Sequence, residues 1–112
     1  MSTPRLTAEL WVQAYFTRLR LQDIPAFIVS KGDATAGAVI VKQNALDGTA
    51  KAFQRSVDIL SGDRIWVTLT EGAEAEVDAT ITKQRGFDPD LWVIEVEDRD
   101  RRHLLDEPGL DS

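Results

Sequence analysis

Gly32 and Gly37, separated by four residues in KGDATAG, have the spacing that points most directly to a chemistry. The same spacing opens a phosphate-binding P-loop, where a following Lys reaches the phosphates, a Ser or Thr holds magnesium and a helix N-terminus faces the anion. Here Gly37 is followed by Ala38, Val39, Ile40 and Val41. None of these side chains can do either job, and the β-branched run predicts a strand. A P-loop is therefore excluded. What remains is a hairpin connection in which Asp33 accepts amides within the loop and Gly37 permits a positive φ or a close backbone approach. Beside it stands a second reading, in which the loop amides and Lys31 bind a small anion or a partner's carboxylate.

The other constellations for catalysis are weaker. His103 is the only histidine and lies in the charged stretch DRDRRHLL, far in sequence from Ser30, Ser56 and Ser61, so no serine triad is signalled. Asp88 and Asp90 in FDPDLW form a DxD pattern, but Pro89 between them points to a turn in which Asp88 accepts backbone amides. A nuclease metal site would need an acid two residues before a lysine, and those positions hold Val29, Ile40, Thr49 and Ile81. With no cysteine, thiolate sites and disulfides are ruled out. Neither a metal site nor a cofactor is expected.

These residues belong to a chain of 112 amino acids, the length of one domain, able to bury roughly 65% of its unfolded surface. The net charge of −6 argues against general nucleic-acid binding, which needs clustered Lys and Arg. The charge is also divided: residues 1–56 carry a net +3 and residues 57–112 a net −9. Such asymmetry favours head-to-tail attraction between copies or one mildly basic face. No apolar run has the length of a signal peptide or membrane span, so a cytoplasmic location without membrane contact is expected.

The elements that must position these groups follow from periodicity and punctuation. Thr3 and Pro4 mark a helix start, and from about Leu6 to Leu21 the residues Ala8, Val12, Tyr15, Phe16 and Leu19 recur at helical spacing. Four strands are expected next: AFIVSK, AVIVK, KAFQRSV and RIWVTLT, joined by turns at Gly32 to Gly37, NALDG and Ser61 to Asp63. They read as an antiparallel meander. A second helix, about Gly72 to Arg85, places Ala73, Val77 and Ile81 on one stripe, with Gly86 as its stop. LWVIEVE is the fifth strand. The expectation is therefore an α+β fold, a five-stranded mainly antiparallel sheet with both helices packed on one face, comprising residues 1–97, followed by a charged tail, 98–112, with an apolar clasp at Leu104 and Leu105.

In the fifth strand Glu95 shares a face with Leu91 and Val93, opposite Trp92, Ile94 and Val96. An open face leaves Glu95 solvated; a covered one makes it seek Arg55 or Lys42. Phe53, Trp66, Leu91 and Val93 together include more large apolar groups than two helix-facing layers need, and exposed patches of that kind mark association.

KGDATAGAVIVK, LDG at Leu46 to Gly48 and FDPDLWVIEVED resemble the conserved blocks of a family of small alphaproteobacterial proteins, domain of unknown function 1491. The resemblance runs from about Leu6 to Glu97 and implies a bacterial intracellular protein. Lys31 stands where that family is expected to carry a basic residue. No activity, cofactor or catalytic residue comes with it.

Two functions are carried forward. The first is a non-enzymatic, self-associating protein-interaction module using the face with Phe53, Trp66, Leu91 and Val93. The second is an anionic-ligand binder or hydrolase using Lys31, Gly32, Asp33 and Gly37 with Arg55, Asp88 or Glu95.

Overall fold

The computed structural model describes residues 6–111. Its elements are α1 (Ala8–Leu21), β1 (Ala26–Ser30), β2 (Val39–Asn44), β3 (Thr49–Val57), β4 (Arg64–Ala73), α2 (Glu74–Phe87) and β5 (Trp92–Glu97). This is the α+β class and element order expected. The Thr3–Pro4 helix start lies outside the described residues; Thr7 caps α1, its hydroxyl accepting the Leu10 amide at 3.3 Å. Gly86 does not stop α2 but lies inside it, and Ala73 closes β4 instead of joining the helical stripe.

The strand order is β1-β5-β2-β3-β4. The β2–β3–β4 meander is as expected, but β1 does not pair with β2. β5 enters between them, parallel to β2 and antiparallel to β1. The Gly32 to Gly37 segment therefore joins two strands that are not neighbours, and is not a hairpin connection. The physical cause lies in β5 and β2: Leu91 to Ile94 and Val39 to Val41 are buried without alternation, which suits interior strands covered on both faces.

That double burial also corrects the expected placement of the helices, which take opposite faces of the sheet. α1 presents Trp11, Val12, Tyr15 and Leu19 to Val39, Val41, Phe53, Trp92, Ile94 and Val96. α2 presents Val77 and Ile81 to Ile40, Ala50, Ala52, Leu91 and Val93. Adjacent residues of a strand point to opposite faces, so two apolar sets on β2 and β5 demand two covers.

Residues 98–111 are not a separate tail. Leu104, Leu105 and Leu110 join the α1-side core, each burial contributing about 1.5–3 kcal/mol. The Tyr15 hydroxyl donates to the His103 carbonyl at 2.7 Å, and the Trp66 indole N–H donates to the Leu110 carbonyl at 2.7 Å. Arg18 reaches the Pro108 carbonyl at 3.2 Å and Glu107 at 3.4 Å. The domain thus continues past the expected boundary at residue 97.

Candidate functional site

The structure gives the Lys31 to Gly37 loop a structural role. Asp33 accepts the Thr35 and Ala36 amides at 3.2 and 2.8 Å, as its position between glycines led one to expect. The Asp33 amide donates to the Asp90 carbonyl, the Gly37 amide to the Asp33 carbonyl, and the Trp92 indole to that same Asp33 carbonyl at 2.7 Å. The Thr35 and Ala34 carbonyls accept the amides of Ala8 and Glu9 at the start of α1. A Cβ on Gly32 would stand 2.2 Å from the Asp90 carbonyl oxygen, and one on Gly37 2.5 Å from it. Both glycines are there because the Asp90 backbone, just before β5, passes close by. The amides of Asp33, Thr35, Ala36 and Gly37 are thus engaged within the protein.

The remaining residues of the expected ligand set do not converge on this loop. Asp88 accepts the Asp90 amide at 3.0 Å, the turn that Pro89 predicted. It shares a small cavity of about 170 Å³ with Arg55, Arg64 and Gln84. Arg55 packs against two indoles, 4.5 Å from the Trp11 ring centre and 4.8 Å from that of Trp66. Glu95 lies on the other face, beneath α2, with Lys42.

Lys42 is almost wholly buried, and its ammonium is held 2.7 Å from Glu74, 2.7 Å from Asp78 and 3.1 Å from Glu95. Asn44 bridges two of these carboxylates, donating to Glu74 at 2.9 Å and Glu95 at 3.2 Å. Burial pulls the Lys42 pKa down, but the bonds to Asp78, Glu74 and Glu95 outweigh it and push the ammonium above its ordinary value. An ammonium has three N–H donors, and three carboxylates take them. This cluster is a strut under α2. Its lysine is charged and occupied, which excludes it as a nucleophile at neutral pH.

The expected interaction surface is corrected as well. Phe53 packs under α1 and Trp66 is partly buried there, whereas Leu91 and Val93 are buried under α2. The four residues occupy two faces, and both are covered. Their surplus of apolar bulk is absorbed within the chain.

Two other features stand on the surface. At the far end of the α1-side face a cavity of about 390 Å³ lies among Gln43, Lys51, Phe53, Glu71, Arg101 and His103. His103 is half-buried, its ring centre 4.5 Å from that of Phe53, and its Nδ1 accepts the Leu105 amide at 3.0 Å. Burial lowers its pKa, against Asp106, so the imidazole is neutral at pH 7. At the opposite side of the sheet, β1 is a terminal strand, and Phe27, Ile28 and Val29 are 45, 46 and 48% exposed. Beside its first residues opens a cleft of about 380 Å³ lined by Phe16, Arg20, Asp23, Ile24, Pro25 and Ala26.

The family model for proteins of unknown function, DUF1491, matches residues 6–106. The chain belongs to the DUF1491 family. Its structure is similar to the crystal structure of a DUF1491 protein from Caulobacter crescentus CB15, with 39% sequence identity and a TM-score of 0.81, over 92% of this chain and 95% of that one. An NMR structure of a DUF1491 protein from the same organism gives 39% identity and a TM-score of 0.80, over 95% and 97% of the two chains. The solution structure of protein Atu0922 from A. tumefaciens gives 29% identity and 0.71, over 84% and 86%. No curated protein matches the chain.

The DUF1491 match extends through Leu104 and Leu105, so the clasp is part of the family's unit. Sequence reasoning had not singled out Lys51, Gln43, Arg101 or the β1 edge in this DUF1491 chain. Nothing in AFIVS distinguishes an edge strand from a buried one, because a continuous apolar run serves both. Lys42 had a signal, the carboxylate expected beside it in β5. The cavity residues come from β2, β3, β4 and the C-terminal segment, and their spacing along the chain carries no pattern.

Proposed function

We propose that this protein is a non-enzymatic interaction module that self-associates through the outer edge of β1. The observation that carries the reading is the run Phe27, Ile28, Val29, half exposed on a strand with a neighbour on one side only. Alternate amides and carbonyls of such a strand point away from the sheet and accept a further strand. Exposed edges are ordinarily blunted by inward charges or proline, and β1 has neither between residues 26 and 30.

A second copy fits this edge on charge. Asp23 precedes the apolar run and Lys31 follows it, both exposed. Two β1 strands pairing antiparallel about a twofold axis bring each Lys31 toward the partner's Asp23; a parallel pairing sets like charges together. The two sheets then become continuous, and the cleft beside Pro25 and Ala26 receives apolar side chains across the axis. An edge this short supports an affinity on the order of micromolar.

Sedimentation velocity of the full chain over a wide concentration range tests the reading. A concentration-dependent dimer is expected, with Ile28→Lys monomeric at unchanged melting temperature. Lys31→Glu alone and Asp23→Lys alone should weaken association, and mixing the two should restore it, because opposite charges then face each other again. A monomer at every concentration overturns self-association.

A further inference from the structure

We propose that the cavity of about 390 Å³ closed by the docked C-terminal segment is a binding site for a small aromatic carboxylate. It lies across the sheet from the β1 edge and is independent of self-association. Its volume falls in the range of about 300–1,000 Å³ typical of small-molecule sites. The argument rests on what lines it and on how the lining is held.

One wall is aromatic. The Phe53 and His103 rings lie 4.5 Å apart, tilted by 48°, and offer π faces to a flat ligand. Two cations line the same space: Lys51, whose Nζ is 5.3 Å from the Phe53 ring centre, and Arg101. Against these the lining holds one carboxylate, Glu71, opposite Lys51 in the β3–β4 register. Arg101 is steadied by Asp47 at 3.2 Å, an exposed pair of the weak kind that a ligand carboxylate can replace. Since Nδ1 of His103 accepts the Leu105 amide, Nε2 of the neutral ring carries the proton and is a donor. Gln43 donates its nitrogen to the Asp98 carbonyl at 2.8 Å and the Asn44 carbonyl at 3.3 Å, which fixes its side chain in the cavity wall.

The backbone around the cavity adds a second observation. Leu46, Arg101 and Leu104 have φ of 61, 62 and 61°, left-handed values at non-glycine residues. All three lie in the two segments that bound the cavity, the β2–β3 turn and the C-terminal segment. Backbone held in such conformations gathers at ligand sites, where it fixes side chains that an unstrained chain would place elsewhere. Here it presents Arg101 and His103 to the same space.

Amide NMR of the full chain during titration with benzoate tests the assignment, with inorganic phosphate and cyclohexanecarboxylate titrated in parallel. Saturable benzoate shifts are expected at residues 43–53 and 101–105, weakened roughly tenfold or more in Arg101→Ala and in Lys51→Ala. Both substitutions are at the rim, so folding is checked by unchanged spectra elsewhere. Absence of saturable shifts overturns the site, as do shifts indifferent to both substitutions. An equal response to phosphate or cyclohexanecarboxylate overturns the aromatic carboxylate class.

Discussion

The two faces of the sheet are closed in different ways. Under α1 the cover is bulky and aromatic: Trp11 stacks 4.9 Å from Tyr15 and 5.4 Å from Trp66, and the C-terminal leucines complete the layer. Under α2 the sheet offers Ala50 and Ala52 to Val77 and Ile81, and the helix is fixed at its start by Lys42. The first face depends on buried area and the second on a buried charge. The difference teaches that the same sheet is stabilised by a term that tolerates local repacking on one side and by a term that does not on the other.

Removing the charge is the most severe way to break this contrast. Lys42→Ala leaves Glu95, mostly buried, beside Glu74 and Asp78 without a cation. Urea denaturation should show a loss of about 3–5 kcal/mol, and Lys42→Met combined with Glu95→Leu should recover most of it, because the buried carboxylate is then gone and Glu74 and Asp78 are open to water. If the double variant is as unstable as the single one, the cluster's role is packing.

On the α1 side, Leu110→Ala should cost about 2–3 kcal/mol, at the lower end for a buried leucine because the chain end relaxes around the gap. The residue 110 carbonyl that accepts the Trp66 indole N–H remains but is held less firmly without the leucine anchor, and Trp66 fluorescence should shift to longer wavelength. Wild-type stability in this variant would mean that residues 104–111 merely rest on the domain.

The smallest expected effect is a pH dependence at His103. Burial holds its folded pKa below the ordinary 6.5, with Lys51 lowering it further and Asp106 opposing. The folded state then binds fewer protons than the unfolded one below pH 6.5. The stability from the neutral ring is present above that pH and is lost as pH falls through the folded pKa. Denaturation midpoints should decline in that window for the wild type and less for His103→Asn, which keeps an acceptor for the Leu105 amide. Parallel slopes in the two proteins would remove His103 as the cause.

How much of this was legible depends on the range of the signal. Asp33 and Asp88 were readable as turn acceptors because their partners lie two or three residues away. The Lys42–Glu95 pair was half readable: both were suspected, but choosing Lys42 over Arg55 required knowing which strands are neighbours. Phe53, Trp66, Leu91 and Val93 were read as a surplus for a partner, since the sequence shows how much apolar surface needs cover but not which segment supplies it. The β1 edge was illegible, because Phe27, Ile28 and Val29 have the composition of a buried strand.

By itself, then, the sequence determined the elements, their order and the local turns at Asp33 and Asp88, all from periodicities of two and 3.6 residues and from side-chain to backbone bonds within a few residues. Only the tertiary structure decided that β5 enters between β1 and β2, that the helices take opposite faces, that the last residues seal the α1 side and that Lys51, Arg101 and His103 meet. Those outcomes turn on contacts between residues far apart in the chain. Their energies come from buried area and charge pairing, which are blind to sequence distance.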